Sequence, residues 1–234
     1  MKMRFCIVTC TGGRPELFEL CKKWVMRQTR QPDLWIVVTD TGEEIRDLPS
    51  FAEFHHVPPM DPSFSGPGYL APAWSLFFGL GKVPPGYAAV IMEDDDWYAR
   101  THCEVLMDHI ERGSLVSYGN VVWRFHVPAQ RWRLLEGKDP TEGNVGIHPD
   151  AISRYIEGSK VVPRWDPKDG IYQGYTKVDI KGVGHGLPGR SGATNHHITD
   201  HKKARIMRPD PGNLRMRKIL GEADAQDYIR LVKL

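Results

Sequence analysis

Four carboxylates stand side by side at Glu93, Asp94, Asp95 and Asp96, immediately behind the apolar run Tyr87 to Met92. Adjacent acids repel one another and raise each other's pKa unless a cation compensates them, and Mg2+ and Mn2+ are hard ions that take oxygen ligands. A metal held there is able to grip a diphosphate and neutralise charge as it leaves. A second acidic position, Asp40, closes the apolar run Leu34 to Thr39. Open α/β sheets bind ligands just beyond the carboxyl ends of their strands, so the two acidic sites are expected to face one crevice.

Two further segments carry residues that suit chemistry. Between Lys181 and Gly192 the chain reads KGVGHGLPGRSG, where glycines permit close backbone approach and leave Arg190 able to clamp a diphosphate. Residues 202 to 218 then hold Lys202, Lys203, Arg205, Arg208, Arg215, Arg217 and Lys218 against one acid, Asp210. The formal net charge of +2 hides this asymmetry: residues 1 to 180 carry 20 Lys and Arg against 24 Asp and Glu, and residues 181 to 234 carry 11 against 5. The C-terminal part is where an anionic partner such as nucleic acid is to be expected.

The elements that must position these groups alternate between strand and helix. Arg4 to Thr11 is short, β-branched and apolar, and Gly12-Gly13 and Pro15 turn it into a helix whose Leu17, Cys21, Trp24 and Val25 share one face. Leu34 to Thr39 is a second strand, Tyr69 to Leu80 a second helix with Pro72 near its start, and Tyr87 to Met92 a third strand. Thr101 to Glu104 is a capping-box pattern opening a helix that runs to about Arg112 and stops at Gly113. Leu115 to Val127 and Arg131 to Leu135 read as β segments around a turn, and Pro149 opens a short helix that Gly158 closes. Val161 to Asn213 is loop-rich, as befits a binding site or lid, and a last helix covers about Glu222 to Lys233. Continuous apolar strands separated by helices predict an α/β fold, a mostly parallel sheet sandwiched by helices.

At 234 residues and 41% hydrophobic content one core is expected, hence a single domain over 1–234. Four irregularly spaced cysteines argue for reduced core thiols rather than a disulfide framework or a zinc site. The absence of a long apolar run argues against a membrane span and for a cytoplasmic protein.

The order of these features resembles the family 2 glycosyltransferases. It rests on Thr9 to Thr11, Arg14 to Leu17, Gln28-Thr29, Val37 to Gly42, and the strand that ends in Glu93-Asp94-Asp95 with Asp96 and Trp97-Tyr98 behind it. The resemblance spans about residues 3 to 112 and implies a GT-A, Rossmann-like fold. Its nucleotide-sugar half would cover about 1–112, and its loop-rich acceptor half, with the basic segment, about 113–234. It implies a nucleotide-sugar donor, a UDP-sugar first, bound near Thr9, Thr11, Arg14, Asp40, Glu93 and Asp94. Asp95 would be the principal metal ligand, with Glu93 or Asp94 facing the ribose and metal shell. A late histidine, His185 or His197, would complete that shell. An inverting transferase needs a carboxylate to take the acceptor's proton, and Asp166 or Asp169 in Trp165 to Tyr172 supplies the match. The Lys-Gly, Pro-Gly-Arg and His elements are similar to phage-type transferases that glycosylate hydroxymethylated pyrimidines in DNA. That would make DNA the acceptor, with Lys202, Lys203, Arg205, Arg215, Arg217 and Lys218 as contacts, and the host cytoplasm the place of action. Alternatives are a saccharide or other small acceptor, nucleotidyl transfer, or a non-catalytic binding module on the same fold.

Overall fold

The computed structural model describes residues 2–12, 14–39, 41, 44–58, 70–119, 121–126, 130–136, 145–161, 176–178, 184–185 and 208–232. Its main sheet has seven strands in the order β3-β2-β1-β4-β8-β5-β9. These are β1 (Phe5–Thr11), β2 (Leu34–Thr39), β3 (Ala52–His56), β4 (Ala88–Ile91), β5 (Val116–Gly119), β8 (Val145–Ile147) and β9 (Thr176–Val178). All neighbours run parallel except β8, which is antiparallel to both β4 and β5. A smaller sheet joins β10 (Gly184–His185), β6 (Val121–His126), β7 (Arg131–Glu136) and β11 (Arg208–Pro209) in that order. The fold is α/β, a mostly parallel sheet with helices on both faces.

Side-chain alternation along β1 explains the layering. Phe5 and Ile7 face a core built with α1 (Pro15–Met26), α3 (His102–Glu111) and the C-terminal helices α5 (Leu214–Leu220) and α6 (Glu222–Val232). Cys6 and Val8 face the other way, toward α2 (Leu70–Leu80) and α4 (Ile152–Val161). The α1 face foreseen from spacing is buried as a unit, with Leu17, Cys21, Trp24 and Val25 at most 4% exposed. Gly79 lets α2 approach the sheet: a Cβ there would lie 2.7 Å from Val8 Cγ1. Gly79→Ala is therefore expected to destabilise by about 1–3 kcal/mol, readable in urea melts, since an added methyl overpacks a filled core.

Several boundaries differ from expectation. Leu115 to Val127 divides between two sheets, as β5 and β6. Gly158 lies inside α4, which is entered through a 3-10 turn at Pro149–Ala151, and does not close it. The capping box at Thr101 does not form, because Glu104 instead accepts a hydrogen bond from the Thr29 hydroxyl at 2.7 Å. Three of the four cysteines are buried and all four are free. Among the described residues no helix is long and apolar enough to cross a membrane.

Candidate active site

The carboxyl ends of β1 and β4 lie side by side, because the two strands pair in parallel from Phe5 with Ala88 to Val8 with Ile91. That register delivers Thr11 and the turn toward Arg14 next to Glu93–Asp96. The Thr11 hydroxyl donates to Asp94 Oδ2 at 2.6 Å. Arg14 spans two acids: one nitrogen pairs with Asp94 and Nη1 lies 3.0 Å from Asp95 Oδ2. Pro15 occupies the first turn of α1 directly behind Arg14, so the helix start fixes where the guanidinium begins.

The four acids do not share one role. Glu93, Asp95 and Asp96 offer carboxylate oxygens that lie within 4.8 Å of one another. Asp94 points instead to Thr11 and Arg14, and its side chain is fully buried. An all-oxygen set of three carboxylates is the donor chemistry that Mg2+ and Mn2+ take. The Arg14 Nε is buried with no hydrogen-bond partner among the described residues, an unused donor beside the acids.

Burial pushes the Asp94 carboxyl up to about 7, against the pull of Arg14 and with a push from Asp95. For Arg14, burial disfavours the charge, but Asp94, Asp95 and Glu93 outweigh it and hold its pKa above the ordinary value. The consequence for stability has a definite sign. Without metal, folded Asp94 keeps its proton up to about pH 7, whereas an ordinary carboxyl loses it near 3.8. The stabilisation is thus complete below the lower value and is lost as pH rises through the upper one, with a slope of at most about 1.4 kcal/mol per pH unit. In EDTA, Asp94→Asn is expected to flatten this fall in a series of melting temperatures from pH 4 to 8. A mutant profile as steep as wild type would show that Asp94 is not its source.

Behind the acids the chain is firmly held. The Glu93 N–H donates to the Tyr98 hydroxyl at 2.7 Å, and Trp97 and Tyr98 are buried. Gln28, buried at the end of α1, donates to the Ala99 carbonyl and accepts from the Cys103 N–H, both at 3.0 Å. The Thr29 N–H donates to the Arg100 carbonyl at 2.8 Å, so the Gln28-Thr29 step clamps the segment that follows Tyr98. His102 is fully buried beneath Tyr98, and burial pushes its pKa down to about 3, leaving it neutral.

A cavity of about 220 Å³ opens beside this constellation. It is lined by Thr11, Gly12 and Arg14, by Thr39 at the end of β2, and by Glu44 and Ile45 beyond that strand. Thr9, expected beside the nucleotide, is fully buried, and its hydroxyl accepts from Trp35 Nε1 at 2.9 Å. The reason is register: position 9 continues the inward Phe5-Ile7 row, and position 11 is the first of that row at the strand's end.

The remaining expected residues fall elsewhere. Asp40, Asp166, Asp169, Arg190, His197, Lys202, Lys203 and Arg205 lie outside the described residues, as does the side chain of His185 in β10. The Arg215 guanidinium lies 4.7 Å from the Trp132 ring centre, and Arg208 lies 5.2 Å from it. Arg217 pairs with Glu222, and Lys218 is exposed. The sequence reading took the four acids together as metal-binding and singled out Asp95, Asp94 and Glu93 as ligands, whereas the three carboxylates that meet have Asp96 in place of Asp94, which is taken up by Arg14 and Thr11. It gave no role at all to Arg27 or Asp224, which meet the segment behind the acids.

No protein-family model matches the chain, and comparison with curated proteins returns no match. Solved structures of similar shape include S. aureus TarS 1–349, at 10% identity over 65% of this chain and 49% of that one, with a TM-score of 0.42. Another is 4-diphosphocytidyl-2C-methyl-D-erythritol synthase from Anaerococcus prevotii, at 9% identity over 92% of this chain and 100% of that one, with a TM-score of 0.49. This chain spans about half the length of the TarS structure. Both scores fall short of one half, so what the chain does is read from its own residues.

Proposed function

We propose that the protein transfers a sugar from a nucleotide diphosphate sugar to an acceptor hydroxyl, with Mg2+ or Mn2+ held by Glu93, Asp95 and Asp96. The observation that carries this reading is the meeting of those three carboxylates with Arg14 at the paired ends of β1 and β4. When bound, the metal supplies positive charge to the diphosphate as it becomes the leaving group. Arg14 turns the nitrogen that leaves Asp95 to phosphate oxygens, while Asp94, itself held by the Thr11 hydroxyl, keeps the other terminal nitrogen in place. The cavity beside Thr11 and Thr39 receives the nucleoside, and Asp40 at the end of β2 contacts its base or ribose.

On the opposite face of the sugar, Asp166 or Asp169 takes the proton from the acceptor hydroxyl as its oxygen attacks the anomeric carbon, which gives inversion. The glycine-rich loop brings Arg190 to the diphosphate and His185 to the metal. A hydroxymethylated pyrimidine in DNA is the proposed acceptor. It would have to leave the base stack to reach the carboxylate. What favours it is the basic C-terminal part, in which Arg208 and Arg215 already stand over Trp132.

A thermal-shift screen of UDP-, GDP- and other nucleotide sugars, with and without Mn2+, tests the donor. A ligand at 100 times its Kd adds about 2.7 kcal/mol of stability. A shift that requires Mn2+ is expected, and no shift with any nucleotide sugar would overturn the reading. Release of pyrophosphate in place of a nucleoside diphosphate would instead assign nucleotidyl transfer. Absence of both salt-sensitive DNA binding and transfer to hydroxymethylated DNA would remove the DNA acceptor alone.

A further inference from the structure

Asp224, in the first turn of α6, is far from the acids in sequence yet touches the residue that follows them. Its Oδ2 accepts from Trp97 Nε1 at 2.8 Å in a buried hydrogen bond. The same carboxylate pairs with Arg27, the residue that ends α1. Arg27 in turn donates Nη2 to the Tyr98 carbonyl at 2.7 Å, and its guanidinium lies 4.0 Å from the ring centre of Trp24 and 5.3 Å from that of Trp97. The Tyr98 hydroxyl receives the Glu93 N–H. One carboxylate thus fixes the neighbour of Asp96 directly and, through Arg27 and Tyr98, the backbone of Glu93. Both ends of the acidic turn are tied to it.

The rest of α6 docks through contacts that do not reach the turn. Lys23 binds Asp227 at 2.7 Å and Asp224 at 3.1 Å, and Trp24 Nε1 donates to the Tyr228 hydroxyl at 3.1 Å. Asp227 and Tyr228 only attach the helix, whereas Asp224 shares Lys23 with Asp227 and in addition reaches across to the segment that carries the acids.

We infer that Asp224 is a positioning residue for the metal-binding carboxylates, setting the spacing of Glu93, Asp95 and Asp96 through Trp97 and the Arg27–Tyr98 link. The inference rests on the proposed metal role of those acids. Partners of this kind that orient ligands typically cost about 10- to 100-fold in metal affinity when lost.

The test titrates the full chain with Mn2+ alone, followed by calorimetry or by the electron spin resonance of free Mn2+. Asp224→Ala and Trp97→Phe are expected to raise the Mn2+ Kd about tenfold or more, with Asp224→Asn between wild type and Ala because it still offers Trp97 an oxygen. Asp227→Asn and Tyr228→Phe, which loosen the same helix, are expected to lower the melting temperature in EDTA and leave the Kd unchanged. Equal Mn2+ affinity in wild type, Asp224→Ala and Trp97→Phe would overturn the inference while leaving the metal site standing. The same follows if all four positions weaken Mn2+ in proportion to lost stability. If wild type binds no Mn2+, the metal reading itself falls. Should Asp224→Ala fail to fold, Trp97→Phe, which keeps the aromatic ring, decides the question.

Discussion

Asp95→Asn is expected to reduce kcat/KM by about 10³-fold, or ~4 kcal/mol of transition-state stabilisation, while leaving the metal-free fold nearly as stable as wild type. Asp95 belongs both to the three-carboxylate group and to the Arg14 ion pair. Asparagine keeps its shape but removes the charge that a divalent ion requires. In the metal-free protein Asp95 also pushes the neighbouring Asp94 toward its neutral form. Losing that repulsion offsets the loss of a partly exposed ion pair, so the melting temperature in EDTA should move little. A site that is costly to assemble, and that the proposed function makes necessary for turnover, is where stability and activity are expected to trade against each other. Steady-state kinetics with saturating Mn2+, paired with melting in EDTA, measures both sides. Wild-type turnover in Asp95→Asn would remove the metal from the mechanism.

Arg14→Met is expected to change two affinities in opposite directions. Arg14 occupies an oxygen of Asp95, so a cation arriving at the acids must compete with the guanidinium for that carboxylate. Removing Arg14 should tighten binding of Mn2+ alone by about 3- to 10-fold, the size of a modest ion pair. A nucleoside diphosphate should then bind about 10- to 100-fold more weakly, because charge-assisted hydrogen bonds to phosphate are lost. The variant need not unfold: Asp94, deprived of its partner, is already poised to take up a proton, and a neutral carboxyl is cheap to bury. Calorimetric titration of Mn2+, and then of UDP with Mn2+ present, reads the two signs separately. A fall in both affinities would make Arg14 a structural anchor of the turn and nothing more.

The parts of this fold that were legible from sequence are those whose burial is continuous. Strands β1, β2 and β4 are unbroken apolar runs because helices cover both their faces, and α1 announced itself through four side chains that are all buried. Strand β3 did not, because it is an edge strand in which Glu53, His55 and His56 face partly or fully outward and interrupt the alternation. Strand β8 has only three residues, too few to carry a period. In α5 the basic side chains dominate what is read, and the core is reached by Met216 and Leu220, with Ile219 packed partly buried against it.

The candidate site divides in the same way. Thr11, Arg14 and the acidic run were visible because each belongs to a short local pattern at a strand end. How the four acids share their work was not, since successive residues in a turn project in directions that sequence does not record. Asp94 turned toward Arg14, and Asp96 joined Glu93 and Asp95. The link from Trp97 to Asp224 spans 127 positions and leaves no periodic trace.

That the last described helix closes onto the first has a consequence in time. Lys23 and Asp227 are 204 positions apart, so the contact between α1 and α6 forms only after the other described elements have been synthesised. At about 5–20 residues per second, roughly 10–40 s separate the emergence of the two partners from the ribosome. From its own synthesis until the end of that interval the Trp97-Tyr98 segment lacks its outer support, and Trp24, later covered by Tyr228, stays open to solvent or to a chaperone. The nascent chain thus carries its carboxylates well before it carries the helix that steadies them, and the proposed metal site is complete only once that helix has been made.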